Sequence, residues 1–432
     1  MSQLTMAIAL LGCSGKSGDS SSSPLETQFI TRNDDAFPPV TNQCETAYPP
    51  VLMAHGFLAA GDTYDELALR LVSNGHCPDF IFTYDWNTFS QSGGLAELEK
   101  AIDTIIEQTG VTEIDLMGHS AGGGLGLNAI TSDWGPSKIR RYVHIGASPS
   151  SSDLTVPTLN LYSLADTVVQ GGEMPSAFNV VLTDADHFEV ATREDAFEAI
   201  FEFLYDSPPI RTDIQTENQL EIWGKALSFG ENNPMSGTEM FWYRLEPNTG
   251  LRLSDVPEFV QTIGDNGLFG PIPAPAGERY EILLDADIPI RHYYLPFTAS
   301  HRHLRLRAVP EEGLAATLLS GIPFENDDVV KLVSFSKQQA MIAGRDTLSI
   351  NGRELLDERR AAPENTLIAL FHYDNASDGI EGEDPIQFNS FPFIRAVDQV
   401  LISDPTSSFK LQLNGRHLHI PYWGEGAIIG FL

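Results

Sequence analysis

Short apolar runs near residues 50–54, 80–84, 111–117, 141–146, 157–162 and 178–182 alternate with longer mixed stretches near 62–73, 94–109, 121–131 and 192–204. The former have the length and apolar content of buried strands, the latter that of helices. Strict alternation of the two predicts a mostly parallel sheet with helices on both faces. After Ser207-Pro208-Pro209 the pattern changes to β-rich segments at 220–227, 239–245 and 280–284, separated by Gly, Pro and Asn turns. That spacing suits a sandwich or barrel-like all-β region. A second β-rich unit is expected after Val309-Pro310, and residues 335–344 read equally as a short helix or an edge segment. The expected division is 31–206 for the α/β unit, 210–309 for a β-sandwich and 310–432 for a second β-rich domain.

Where the third predicted strand meets a glycine-rich helix, the chain reads Gly118-His119-Ser120-Ala121-Gly122. A sharp strand-to-helix turn leaves no room for side chains two residues either side of its serine, whose hydroxyl is then exposed at the helix N-terminus. The five-residue pattern alone is weak in a chain with 36 glycines. Its placement between strand and helix gives it meaning, and Ser120 is the expected nucleophile. About sixty residues earlier, the first predicted strand ends in His55-Gly56-Phe57. A loop there can supply one backbone N–H of an oxyanion hole and the residue after the nucleophile the other. These are assigned to Phe57 and Ala121, and losing one such donor typically costs about 3 kcal/mol of barrier.

A serine nucleophile needs a base, and the base needs a carboxylate that fixes its tautomer. Asp166 follows the fifth predicted strand and His187 follows the sixth, giving the chain order Ser120, Asp166, His187. Asp184, Asp186 and Asp153 remain alternatives for the acid. His119 and His144 sit in apolar surroundings and read as structural residues. His301 and His303 alternate with Arg302 and Arg305, which suggests a solvated strand face. No pair has zinc spacing.

With these motifs in hand, residues 49–204 resemble an α/β-hydrolase of the bacterial and archaeal lipase type. The β-rich tail, with Tyr293-Tyr294-Leu295-Pro296-Phe297 and Phe391-Pro392-Phe393 among its segments, is similar to the C-terminal β domain of a long-chain archaeal lipase. The resemblance implies ester hydrolysis through an acyl-enzyme and a β domain that contributes to lipid handling. One departure concerns the lid. Only about ten residues, 85–94, separate the second predicted strand from the next helix, where that lipase type carries a substantial lid insertion. Trp86 and Phe89 in this short stretch are candidates for lining an open acyl cleft, or for packing beneath the loop.

Charge and cysteine content set the setting. The 432 residues carry 59 acidic against 26 basic side chains, a net charge of −33, and only 7 of the basic ones are lysine. Such a surface repels nucleic acid and anionic lipid and favours neutral substrates. Residues 4–13 form an apolar run ending in Leu10-Leu11-Gly12-Cys13, which resembles a lipoprotein signal, although no Lys or Arg precedes it. Residues 13–30 then read as a Ser/Gly-rich tether. Lipidation of Cys13 would leave Cys44 and Cys77 as one disulfide pair, worth roughly 3–4 kcal/mol in the chain-entropy picture. An exported, envelope-anchored or extracellular protein is expected, with an ester as its partner and membrane contact only through Cys13. No cofactor or metal is expected. The acidic stretch 374–384 resembles a calcium loop, but Pro385 stands where the closing Glu belongs.

Overall fold

The computed structural model describes residues 27–33, 35–40, 48–90, 94–388, 391 and 393–432. Its first unit is a six-stranded, all-parallel sheet built from β1 (Val51–Ala54), β2 (Ile81–Tyr84), β3 (Ile114–His119), β4 (Ile139–Ile145), β5 (Thr158–Ser163) and β6 (Phe178–Leu182). The spatial order is β2-β1-β3-β4-β5-β6. From β1 the chain steps outward to the edge at β2, then crosses back to β3 and continues the other way. The crevice at the carboxyl ends of β1 and β3 is therefore the topological switch point, where open α/β sheets place their ligands.

Burial on both faces explains the near-continuous apolar strands. One face packs against α1 (Asp65–Ser73) and α4 (Glu194–Tyr205), with Leu67, Leu71, Phe197, Phe201 and Leu204 in the core. The other packs against α2 (Gly94–Thr109) and α3 (Ala121–Ile130), through Leu98, Ile102, Ile105 and Ala129.

The β region has three layers. A ten-stranded mixed sheet runs through its centre, flanked by a three-stranded and a four-stranded sheet. Strand Ala427–Phe431 shows the logic. Ala427, Ile429 and Phe431 point into the core shared with the three-stranded sheet, whereas Ile428 enters the core shared with the four-stranded one. Period-two alternation of side chains makes this possible only where both faces are apolar. Ile290–Tyr294, before residue 310, and Leu332–Phe335, after it, both pair in parallel with this last strand, so the sheet is continuous across 310. Residues 28–30, at the end of the stretch read as a tether, form a strand parallel to Phe259–Thr262. Trp223 and Trp242 are buried, and Trp423 is half-buried, its indole N–H donating to Glu281 at 3.0 Å.

The three-stranded sheet, β7 (Gln219–Ser228), β8 (Leu268–Pro275) and β9 (His301–Ala308), corrects one expectation. His301 and His303 do not lie on a solvated face; both are buried, as are Arg305 and Arg307. The strand faces the acidic side chains of the first unit. Arg305 forms two hydrogen bonds to Asp85 at 2.9 and 2.8 Å, and Arg307 reaches Asp62 at 2.6 Å. His301 lies 3.5 Å from Asp65, Lys337 also pairs with Asp65, and Arg302 lies 2.7 Å from Asp79. Buried charges require such partners, so the polar pattern of this strand records an interface and not solvent.

Candidate active site

Ser120 occupies the turn between β3 and α3 with φ 54° and ψ −118°. A non-glycine residue with positive φ costs of order 1–3 kcal/mol and persists only where its surroundings fix it. Here the neighbours fix it. A Cβ on Gly118 would lie 2.2 Å from the Gly122 carbonyl oxygen, and one on Gly122 would lie 2.2 Å from that of Ala54. Both glycines are thus required by backbone approach, the second because α3 starts directly against β1. Gly124, one turn along, has open space around its Cβ position. Gly122→Ala is accordingly expected to destabilise the protein by about 3 kcal/mol or more, whereas Gly124→Ala gains about 1 kcal/mol of helix propensity. Thermal melts of the two variants check the contrast.

The two remaining members of the expected triad meet. His187 Nδ1 lies 2.7 Å from Asp166 Oδ2, and both side chains are almost fully shielded from solvent. The other carboxylate oxygen of Asp166 accepts the Val168 and Val169 amides at 2.8 and 3.0 Å. Burial alone would raise this carboxyl. The His187 hydrogen bond and charge, with the two amides, outweigh it and hold Asp166 below the usual carboxylate range. Ser120 and His187 line one cleft together with Gly56, Phe57, Phe188 and, from the β region, Thr366, Ile368 and Phe393.

The alternative acids lie elsewhere. Asp186 caps the turn after β6 by accepting the Phe188 and Glu189 amides, and its second oxygen takes the Ala340 amide and Arg345. Asp184 pairs with Arg193 at the surface, and Asp153 is exposed. His119 and His144 are both buried and hydrogen-bonded. His119 Nε2 donates to the His187 carbonyl at 2.8 Å, while His144 lies within hydrogen-bond distance of Tyr142 and of the Ser148 carbonyl. Burial, and secondarily the charge of His187, push His119 down to about 3, so it stays neutral beside His187.

Among the described residues, neither the Phe57 nor the Ala121 amide has a protein acceptor. Phe57 lines the cleft, and Ala121 follows the cleft residue Ser120 as the first residue of α3, where the helix leaves its N–H groups unsatisfied. Trp86 and Phe89 separate. Trp86 is 5% exposed, belongs to the core beneath α2 and donates its indole N–H to the His55 carbonyl at 3.0 Å. It packs under the loop and does not line the cleft. Phe89 joins Phe57 and Phe391 in an aromatic cluster, with ring centroids 5.4 and 6.3 Å away. Cys77 is buried, whereas Cys13 and Cys44 lie outside the described residues. Asp374, in the acidic 374–384 stretch, spends its oxygens on the Asp378 and Gly379 amides of its own turn.

Sequence reading missed the cleft wall from the β region and the side chains that hold the His55-Gly56-Phe57 loop from behind. These lie about 180 residues or more downstream of the loop, and no local motif marks them. The one available signal was the dense Arg/His alternation of β9 in a chain poor in basic residues.

Comparison with known proteins places two stretches of the chain in families. Residues 49–187 match the family described as the alpha/beta hydrolase fold, and residues 218–310 match the lipase C-terminal domain. Similar solved structures include a CIB-like hydrolase from Thermoplasma acidophilum, at 15% identity over 39% of this chain and 90% of that one, TM-score 0.31. Lipase B from Aspergillus fumigatus matches at 13% identity over 41% and 57% of the two chains, TM-score 0.31. The esterase domain of a Rhodothermus marinus protein matches at 19% identity over 38% and 85%, TM-score 0.27.

Proposed function

The chain is an α/β-hydrolase of the lipase type with a C-terminal β domain, and from that premise we propose that it hydrolyses carboxylic esters through an acyl-enzyme on Ser120. The observation that carries the reading is the Asp166–His187 pair at 2.7 Å, opening on the same cleft as a serine held at φ 54°. In the proposed reaction Ser120 Oγ bonds to the ester carbonyl carbon while its proton passes to His187 Nε2. Asp166 keeps the other ring proton on Nδ1 and stabilises the imidazolium. The electron pair displaced onto the carbonyl oxygen is met by the Phe57 and Ala121 amides. Collapse expels the alcohol, which takes the proton from His187, and water then repeats the sequence to release the acid.

The β region supports a substrate with apolar bulk near the ester, because Ile368 and Phe393 form part of the cleft wall. The surrounding charge of −33 favours neutral acylglycerols, simple esters or polyesters over anionic ones. The lipoprotein-like run at residues 4–13 supports export and anchoring through Cys13, and the remaining cysteines support a Cys44–Cys77 bridge; both are part of this proposal.

The test uses nitrophenyl esters of two to eighteen acyl carbons, with a fluorophosphonate probe whose labelled peptide is mapped by mass spectrometry. Turnover and a label on Ser120 are expected. Best rates on long chains would mark a lipase, and a short-chain optimum an esterase or polyester hydrolase. Absence of both turnover and label would sink the hydrolase reading in favour of a lipid- or polymer-binding protein with a vestigial site.

A further inference from the structure

The oxyanion loop is gripped from the β region. The loop leaves β1 at His55-Gly56-Phe57 and runs through a 3-10 turn at Gly61–Tyr64 into α1. Asn232 stands behind it. Its side-chain amide donates to the Ala59 carbonyl at 2.9 Å and the Trp86 carbonyl at 3.1 Å, and lies 3.3 Å from His55 Nε2. Its carbonyl oxygen accepts from Arg307 at 3.4 Å, and the same guanidinium binds Asp62 in the 3-10 turn at 2.6 Å. All of these side chains are buried.

His55 connects this grip to the reacting atoms. Its Nε2 accepts the Trp86 backbone N–H at 3.2 Å, so it must carry the lone pair. The ring proton is then on Nδ1, which donates to the Gly56 carbonyl at 2.8 Å. In a planar trans peptide the carbonyl and the following N–H point in opposite directions. Holding the Gly56 oxygen against His55 therefore fixes the direction of the Phe57 N–H. Burial keeps His55 neutral by lowering it to about 4, which preserves that tautomer.

We infer that Asn232 and Arg307 are positioning residues for the oxyanion hole, so that turnover even of small soluble esters depends on the β region. The inference rests on the ester-hydrolase reading. It assigns the β region a part in stabilising the transition state, separate from any contact with an acyl chain.

Full-length Asn232→Gly is the sharpest probe. Asn232 has φ 57°, a conformation that glycine adopts without strain, so the backbone is kept while the amide is lost. On nitrophenyl butyrate its kcat is expected to fall about 10- to 100-fold, the scale of a small misplacement of a catalytic group, with KM within about twofold. A butyl trifluoromethyl ketone gives the second readout. Ser120 Oγ adds to its carbonyl carbon, the C=O electron pair becomes an oxyanion and the proton goes to His187. Its inhibition constant should weaken by the same factor as kcat. Arg307→Gln with Asp62→Asn, a neutral pair that avoids an orphaned buried charge, should reproduce both changes if Arg307→Gln alone misfolds. Unchanged kcat in well-folded variants, or a loss of kcat without matching loss of ketone affinity, would overturn the assignment. An inert wild-type enzyme would instead overturn the hydrolase reading, and this inference with it.

Discussion

Ser120→Ala is expected to lower kcat on nitrophenyl butyrate by about 10⁶-fold, the scale seen when a serine nucleophile is removed from an intact triad. The fold should survive. The serine hydroxyl caps no helix N–H in α3, and the turn is fixed by the close approach of Gly118 to Gly122 and of Gly122 to Ala54. The melting temperature should therefore stay within a few degrees. Ser120→Gly should melt higher than Ser120→Ala, because glycine relieves the φ of 54°. Asp166→Asn is predicted to cost about 10⁴-fold by a different route. The asparagine oxygen can keep the Val168 and Val169 amides, which turns its NH₂ toward His187 Nδ1. The ring must then move its proton to Nε2, where it can no longer accept one from Ser120. Side-by-side rates for the three variants check the chain of argument. Ser120→Ala retaining more than about a hundredth of wild-type kcat would place the nucleophile elsewhere, since oxyanion stabilisation alone accounts for far less.

The parts of this site that could be read from the chain are those whose chemistry is local. The elbow glycines are demanded by contacts between residues four apart, Gly118 and Gly122, and by the strand immediately beside them. Ser120 and Asp166 follow strands whose apolar runs are buried throughout and so stand out, and His187 follows the next, more exposed strand. The strands of the β region were legible for the same reason, yet their assembly was not. Ile290–Tyr294 and Leu332–Phe335 become partners in one sheet only because the final strand, Ala427–Phe431, inserts between them. Nothing within any of the three segments specifies that insertion. The Arg and His residues of β9 were misread because a strand facing buried carboxylates and a strand facing water carry the same polar alternation. What separates them is the location of Asp62, Asp65 and Asp85, more than two hundred residues away in the chain. Trp86 was ambiguous for a related reason. An aromatic residue beside a catalytic loop can line the cleft or support the loop, and its indole N–H to the His55 carbonyl decides for support.

The buried histidines make the fold sensitive to mild acid. His55, His76, His292 and His372 are lowered to about 4, and His119 and His303 to about 3, in each case chiefly by burial. In the unfolded chain all six would titrate near 6.5. Below that pH the unfolded state binds protons that the native state refuses. Stability from these groups is full above about 6.5 and is lost as pH falls toward 4, where the native histidines begin to titrate. Asp115 acts against them. Burial raises it to about 6, so near pH 5.5 its native carboxyl holds a proton that the unfolded one has released. Net uptake on unfolding near pH 5.5 is then about five protons, and the melting temperature should drop by about 10 °C between pH 7 and pH 5. Below pH 4 the depressed carboxyls add to the effect. Burial opposes ionisation of Asp65 and Asp85, but Lys337 and His301 around the first, and Arg305 and Lys225 around the second, hold both below the usual range. Their contribution is present above pH 4 and is lost as they protonate at lower pH, at the contact between the two units. Scanning calorimetry in buffers of different ionisation enthalpy measures the uptake directly. His372 supplies the control, since it lies in the β region, where Ser334 and Gln399 contact its two ring nitrogens at 2.8 and 2.9 Å. His372→Gln should reduce the uptake by close to one proton without touching the active site. A melting temperature that is flat from pH 7 to pH 5 would mean that these rings protonate within the native fold, and the tautomer argument for His55 would fall with it.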